Sequence, residues 1–178
     1  MKIIRHHEFR EGRWRNGMGV SWDIASASTE GEDFGWRLAI ARIDADVPFS
    51  VYPGVDRIFT LFEGGGLDLD LEETGTLACH SLYVPHPFPG DVPARCRLRA
   101  GPCRALNLFT RRESWSAAVE VVTSSTDITH DGPILLFALF GAAEVNGAAL
   151  ATGDAVVAEG RVSVRTQGSL FTAMLSPV

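Results

Sequence analysis

At 178 residues and 46% apolar, the chain has the length of one or two small domains and the composition of an ordinary globular protein. Its net charge of −6 argues against nucleic-acid binding, because no basic surplus exists to displace phosphate counterions. Among 16 basic residues only Lys2 is a lysine, which reflects either a GC-rich genome or the use of guanidinium forks for carboxylate and phosphate.

The N-terminal "MKIIRHHEFREGRW" has no apolar signal core, and adjacent His6 and His7 would point to opposite faces of a strand. Next come polar residues set among aromatics and glycines, in "RWRNGMGVSWDI" and "GWRLAI". "WRLAIARI" alternates Trp36, Leu38 and Ile40 against Arg37, the period of a strand. Phe49–Gly66, "FSVYPGVDRIFTLFEGGG", holds a Pro-Gly turn, an Asp56-Arg57 pair and three glycines. Those glycines lack the lysine and following helix of a phosphate loop, so they read as a hairpin turn. "LDLDLE" sets Leu67, Leu69 and Leu71 against Asp68 and Asp70, a strand with one wet face. "RCRLRA" repeats that pattern, and "AGPC" turns the chain into "RALNLF", where Leu106 and Leu108 share one face and Asn107 and Phe109 the other.

Past residue 115, the polar stretch Glu120–Pro133 separates a longer first half from a shorter second half. Asn146-Gly147 is a strong hairpin signal, and Gly153-Asp154 offers a further turn. Many short strands with regular turns predict an all-β barrel or sandwich. Three cysteines without metal-type spacing, and no apolar run long enough to span a bilayer, predict a soluble cytoplasmic protein without a membrane partner.

Tests for chemistry are mostly negative. There is no Gly-x-Ser-x-Gly elbow, His-x-His, Glu-x-x-His or Cys-x-x-Cys. Cys79-His80 are neighbours without an evident thiolate-orienting context, and the carboxylates Glu72-Glu73 and Asp68/Asp70 have no pairing geometry that marks a site. Two readings remain for the polar residues among aromatics. One is a barrel mouth that holds a small anion through Arg and Asn. The other, which spacing alone favours, is that Asp56-Arg57 and Arg111-Arg112 brace loops as salt bridges.

Five elements in order then resemble the HutD/Ves family: Trp14-Arg15-Asn16-Gly17-Met18-Gly19, Trp36-Arg37, Phe49–Arg57, Gly90-Asp91-Val92-Pro93, and Asn107 with Arg111-Arg112. They span roughly residues 1 to 115. The resemblance implies an all-β bicupin, two cupin-like barrels or jelly rolls, with an N-terminal half at 1–115 and a shorter C-terminal half at 116–178. It also implies an association with histidine utilisation. Against the ligand box of metal cupins, anchored on Leu61-Phe62-Glu63-Gly64, the chain places Ser50, Tyr52 and Arg57 where two histidines and a glutamate would stand. A hydroxyl, a phenol and a guanidinium do not replace those ligands. The expectation is therefore a cofactor-free protein that binds a small carboxylate such as urocanate, formiminoglutamate or formylglutamate, acting as an accessory or regulatory factor with no catalytic or metal-ligating residue assigned. Arg57 would contact the anion, held by Asp56 or the Pro53-Gly54 turn. Arg37 and Arg111 are further cations, Ser50 and Tyr52 pocket hydroxyls, Asn16 and Asn107 amide readers, and Trp14, Trp22 and Trp36 walls. A homodimer is compatible with this reading. The alternatives are a cupin-type isomerase or hydrolase, with a metal at His80, His86 or His130, and a partner-binding protein with a vestigial pocket.

Overall fold

The structure, a computed structural model, describes residues 1–29, 32–72 and 74–178. Glu73, half of the Glu72-Glu73 pair, lies outside them. The described residues are all-β apart from a single 3-10 turn at His6–Glu8. They form two compact units, residues 10–114 and residues 1–9 with 115–178. None of their helices is long and apolar enough to cross a membrane.

The 10–114 unit contains two antiparallel sheets. The six-stranded sheet runs β2 (Arg10–Arg13), β3 (Val20–Thr29), β4 (Glu32–Ile43), β10 (Cys103–Arg111), β5 (Val55–Glu63), β8 (Pro85–Pro89). The three-stranded sheet runs β7 (Gly75–Cys79), β6 (Leu67–Leu71), β9 (Ala94–Leu98). Period-two alternation decides what each sheet contributes to the core. Leu67 and Leu69 are fully buried, while Asp70 faces out and pairs with Arg97 (2.7 Å) and Thr76 (2.8 Å). Phe59, Leu61, Ala105 and Phe88 of the larger sheet pack in one cluster with Leu67, Leu69, Cys79 and Cys96 of the smaller. Cys79, Cys96 and Cys103 are buried free thiols, and burial pushes Cys79 and Cys96 up to about 12. They are packing residues rather than reactive ones. The Gly64–Gly66 run closes the β5–β6 turn, with positive φ at Gly64 and Gly66.

β10 is buried on both faces, and its register positions the site. Asn107 lies between Ala39 of β4 and Phe59 of β5, and Phe109 between Arg37 and Arg57. Two arginines thus flank one aromatic ring on the same face of the sheet.

The other unit is one seven-stranded antiparallel sheet in the order β11 (Trp115–Val122), β16 (Ser169–Pro177), β12 (Thr126–Phe140), β15 (Ala155–Thr166), β13 (Ala143–Val145), β14 (Ala148–Leu150), with β1 (Lys2–Ile4) also on β15. The expected Asn146-Gly147 hairpin joins β13 to β14, with φ of 50° and 77°, the left-handed pair that a two-residue turn requires.

Three expectations are corrected by this arrangement. Residues 1–9 do not belong with the first half: β1 pairs with β15, and the division falls between 114 and 115. Glu120–Pro133 is no separator, because β11 ends and β12 begins within it, and its polar residues lie on exposed positions and a bulge between His130 and Ile134. His6 and His7 sit on the 3-10 turn, with their rings edge to face at 5.6 Å, rather than on a strand.

Candidate functional site

On β5, alternation carries Val55, Arg57, Phe59 and Leu61 to the interior face. Arg57 is therefore drawn into an apolar core by the strand period itself, and it is only 5% exposed. Its guanidinium carbon stands 4.8 Å from the Phe88 ring centroid, 4.9 Å from Phe109, 5.2 Å from Phe49 and 5.9 Å from Tyr52. Aromatic faces attract a desolvated cation. The remaining contacts are neutral: Nη2 donates to Asn107 Oδ1 (2.9 Å) and Nη1 to the Ser50 carbonyl (3.4 Å). Nε is buried and has no partner among the described residues. Burial pushes the Arg57 pKa down to about 10, Tyr52 opposes this, and Arg37 adds to it. The group is still charged at neutral pH.

Arg57, Asn107, Ser50, Tyr52, Phe49, Phe109, Arg37 and Trp14 are among the residues lining a cavity of about 30 Å³. A water needs about 10–15 Å³ measured this way, so the cavity has room for a few waters or a one-carbon acid. Arg37 stacks on the other side of Phe109, 5.4 Å from its centroid, and its Nε donates to Asp23 Oδ1 at 2.7 Å. A buried planar fork, oriented by neutral acceptors and walled by aromatic rings, has the geometry to pair bidentately with a carboxylate.

Ser50, Tyr52, Arg57, Arg37, Asn107 and the expected wall Trp14 are brought together at this cavity, whereas Asn16, Trp22, Trp36, Asp56 and Arg111 do not line it. Asp56 does not hold Arg57. Neighbours on a strand face opposite ways, and Asp56 accepts from Arg112 Nε (2.9 Å) and Nη2 (2.7 Å), while Arg112 Nη1 also reaches Asp91 (3.0 Å). The Asp91 carboxyl consequently titrates below the usual carboxylate range, chiefly through this hydrogen bond. Arg111 braces the Pro53-Gly54 turn, with Nη1 donating to the Pro53 carbonyl at 2.9 Å, and does not line the cavity. Trp22 packs on Arg104 (5.4 Å), which also lies over Phe62, and Trp36 is core. Asn16 does not line the cavity; its N–H donates to Ser50 Oγ (3.1 Å) and its Nδ2 to the Pro48 carbonyl (2.9 Å). Sequence reasoning missed Phe49 and Phe88 as cage walls and Asp23 as the Arg37 partner. Only the shared face of Asn107 and Phe109 pointed towards the cage.

The histidines make separate contacts. His80 Nε2 lies 2.6 Å from Asp68, His86 is pushed down by burial, and His130 bonds the Leu175 carbonyl at 2.7 Å. Among the described residues no three His, Cys, Asp or Glu side chains group closely enough to hold a metal ion.

The fold is all-β with cupin-like neighbours among solved structures. The HutD family model matches residues 6–173, and the chain belongs to the HutD family. It is 35% identical to protein Ves of Citrobacter koseri over 144 residues, 79% of this chain and 73% of that protein. It is 30% identical over 150 residues to a 21.2 kDa protein of the hutC 3′ region of Pseudomonas putida, covering 82% and 77% of the two. The structure of HutD from Pseudomonas fluorescens superimposes with a TM-score of 0.91 at 28% identity, covering 99% of this chain and 98% of that one.

Proposed function

We propose that the chain is a bicupin that binds a small carboxylate metabolite at Arg57, without a metal, and serves as an accessory or regulatory factor in histidine catabolism. The observation that carries this reading is the Arg57 guanidinium: buried, charged, contacted among the described residues by neutral acceptors and aromatic faces, and lining a cavity. A lone buried cation is costly to keep, and an arriving carboxylate supplies the opposite charge in bidentate geometry. One fact about a relative supports the pathway: the P. putida protein is encoded in the hutC 3′ region. Urocanate, formiminoglutamate and formylglutamate share the carboxylate that Arg57 would take. Tyr52 and Phe109 would cover the apolar part, with Asn107 holding the fork in plane. The two units are read as two cupin-like barrels, the first carrying the site.

Isothermal calorimetry with formate, urocanate and N-formylglutamate tests the proposal. Binding of at least one is expected, with loss of about a hundredfold or more in Arg57→Met, since a charged hydrogen-bonded contact is removed. Equal affinity in wild type and Arg57→Met for every acid tested would place any binding somewhere other than Arg57.

A further inference from the structure

Between β2 and β3 the segment Trp14–Gly19 forms a strap over the Arg57 cavity. It is closed on itself: Trp14 N–H donates to the Gly19 carbonyl (3.0 Å), Gly17 N–H to the Trp14 carbonyl (2.8 Å), and the indole Nε1 to the Val20 carbonyl (3.0 Å). It is fastened to the opposite wall by one residue. Asn16 N–H donates to Ser50 Oγ (3.1 Å), its Nδ2 to the Pro48 carbonyl (2.9 Å), and its Oδ1 accepts from Met18 N–H (3.1 Å). Beneath, the Trp14 indole meets Phe49 edge to face at 5.4 Å and lines the cavity. A Cβ on Gly19 would collide with that indole, so the glycine is the seat on which the ring lies.

Three properties distinguish this strap from an ordinary surface turn. Its outer residues Arg15–Met18 are exposed, and it hangs from β2, a fully exposed four-residue strand at the sheet edge. Such short, solvated elements are the ones that open locally at low cost. The cavity beneath measures about 30 Å³, enough for a one-carbon acid and too small for a five-carbon diacid. Ser50 also links the fastening to the fork, because its Oγ accepts from Asn16 while its carbonyl accepts from Arg57 Nη1.

We infer that Trp14–Gly19 is a size gate on the Arg57 site, in which Trp14 sets the largest acid admitted by the closed state and Asn16 is the latch that holds it closed. This rests on the carboxylate reading of Arg57 and adds its selectivity. A small acid enters the closed site directly. A larger one binds only after the two Asn16 bonds to Ser50 and Pro48 break and the indole lifts from Gly19, so its apparent affinity is reduced by the fraction of time the strap is open.

Stopped-flow fluorescence with sodium formate and sodium glutarate, on wild type, Asn16→Ala and Trp14→Phe, tests the gate. In wild type, glutarate association should level off with concentration at the opening rate while formate association does not. Asn16→Ala should speed glutarate association about tenfold and leave formate affinity within about twofold, the effect of losing the Nδ2–Pro48 latch hydrogen bond, which bears on opening alone. Trp14→Phe should narrow the formate–glutarate difference. Asn16→Asp, which keeps the acceptor and loses the Nδ2 donor, serves if the alanine variant does not fold. Unchanged glutarate kinetics, or an equal change for both acids, overturns the gate. If wild type binds neither acid, the carboxylate reading falls, and hydrogen exchange then judges the strap alone. Exchange over residues 14–19 should rise in Asn16→Ala with β5 and β10 unchanged, and equal protection in both proteins rejects the latch.

Discussion

Asp56 and Arg57 are adjacent in sequence and opposite in environment: one is a half-exposed partner of Arg112, the other a buried cation among four aromatic rings. The strand period separates them, so the neighbour expected to neutralise Arg57 is on the far side of the backbone. Keeping Arg57 charged there imposes a penalty on the order of a few kcal/mol, judged from the depressed pKa and the ~1.4 kcal/mol that each pKa unit represents. A methionine of similar volume removes that penalty and leaves Asn107 without its donor, two effects of comparable size. Arg57→Met should therefore abolish carboxylate binding while the ligand-free melting temperature holds or rises by a few degrees. A fall of more than about 5 °C, roughly 1–3 kcal/mol for a chain of this size, would instead mark the guanidinium as structural. Ser50, Tyr52, Arg57 and Asn107 were legible from motif and alternation. Phe49 and Phe88 were not, because nothing in local spacing says which aromatic of a β-rich chain turns towards a distant arginine.

Elements, rather than residues, account for the N-terminus. β1 is only three residues long and would not stay paired through main-chain bonds alone. Asp154, 1% exposed in the turn before β15, fastens the chain just beyond β1: Oδ2 accepts from Arg5 Nη1 (2.7 Å) and Ala151 N–H (3.0 Å), and Oδ1 from His6 N–H (3.1 Å). Burial alone pushes the Asp154 carboxyl up, but hydrogen bonds from Arg5, Ala151 and His6 outweigh it, and the group titrates below the usual carboxylate range. Its contribution is thus complete above the unfolded value of about 3.9 and is lost as pH falls through the lower folded value. Asp154→Asn should cost about 2–4 kcal/mol at pH 7, measured by urea unfolding, with the difference from wild type shrinking as pH falls below about 3.9. A constant difference across that range would mean that the carboxylate charge is not what holds the segment. The sequence showed Gly153-Asp154 as a turn. That the aspartate clasps residues almost 150 positions earlier depends on pairing of β1 with β15, which no local pattern encodes.

At the scale of the whole molecule, ligand binding and stability are linked by mass action. An acid at about 100 times its dissociation constant should stabilise the protein by about 2.7 kcal/mol and raise the melting temperature by roughly 5–10 °C. The rise should be absent in Arg57→Met, and no rise with any histidine-pathway acid at millimolar concentration would remove the proposed ligand class. By itself the sequence determined the all-β character, most turn positions, the buried and wet faces of β6 and β9, which residues of β10 share a face, and the family. These come from period-two alternation, glycine and asparagine at positive φ, and ordered motifs, all of them short-range signals. Tertiary structure alone decided that β1 joins the later strands, that Arg37 and Arg57 flank Phe109, and that Asn16 bonds Ser50 and Pro48. Strand partners and register set those outcomes, and they depend on which distant faces bury each other best, a property of the packed chain and not of any one segment.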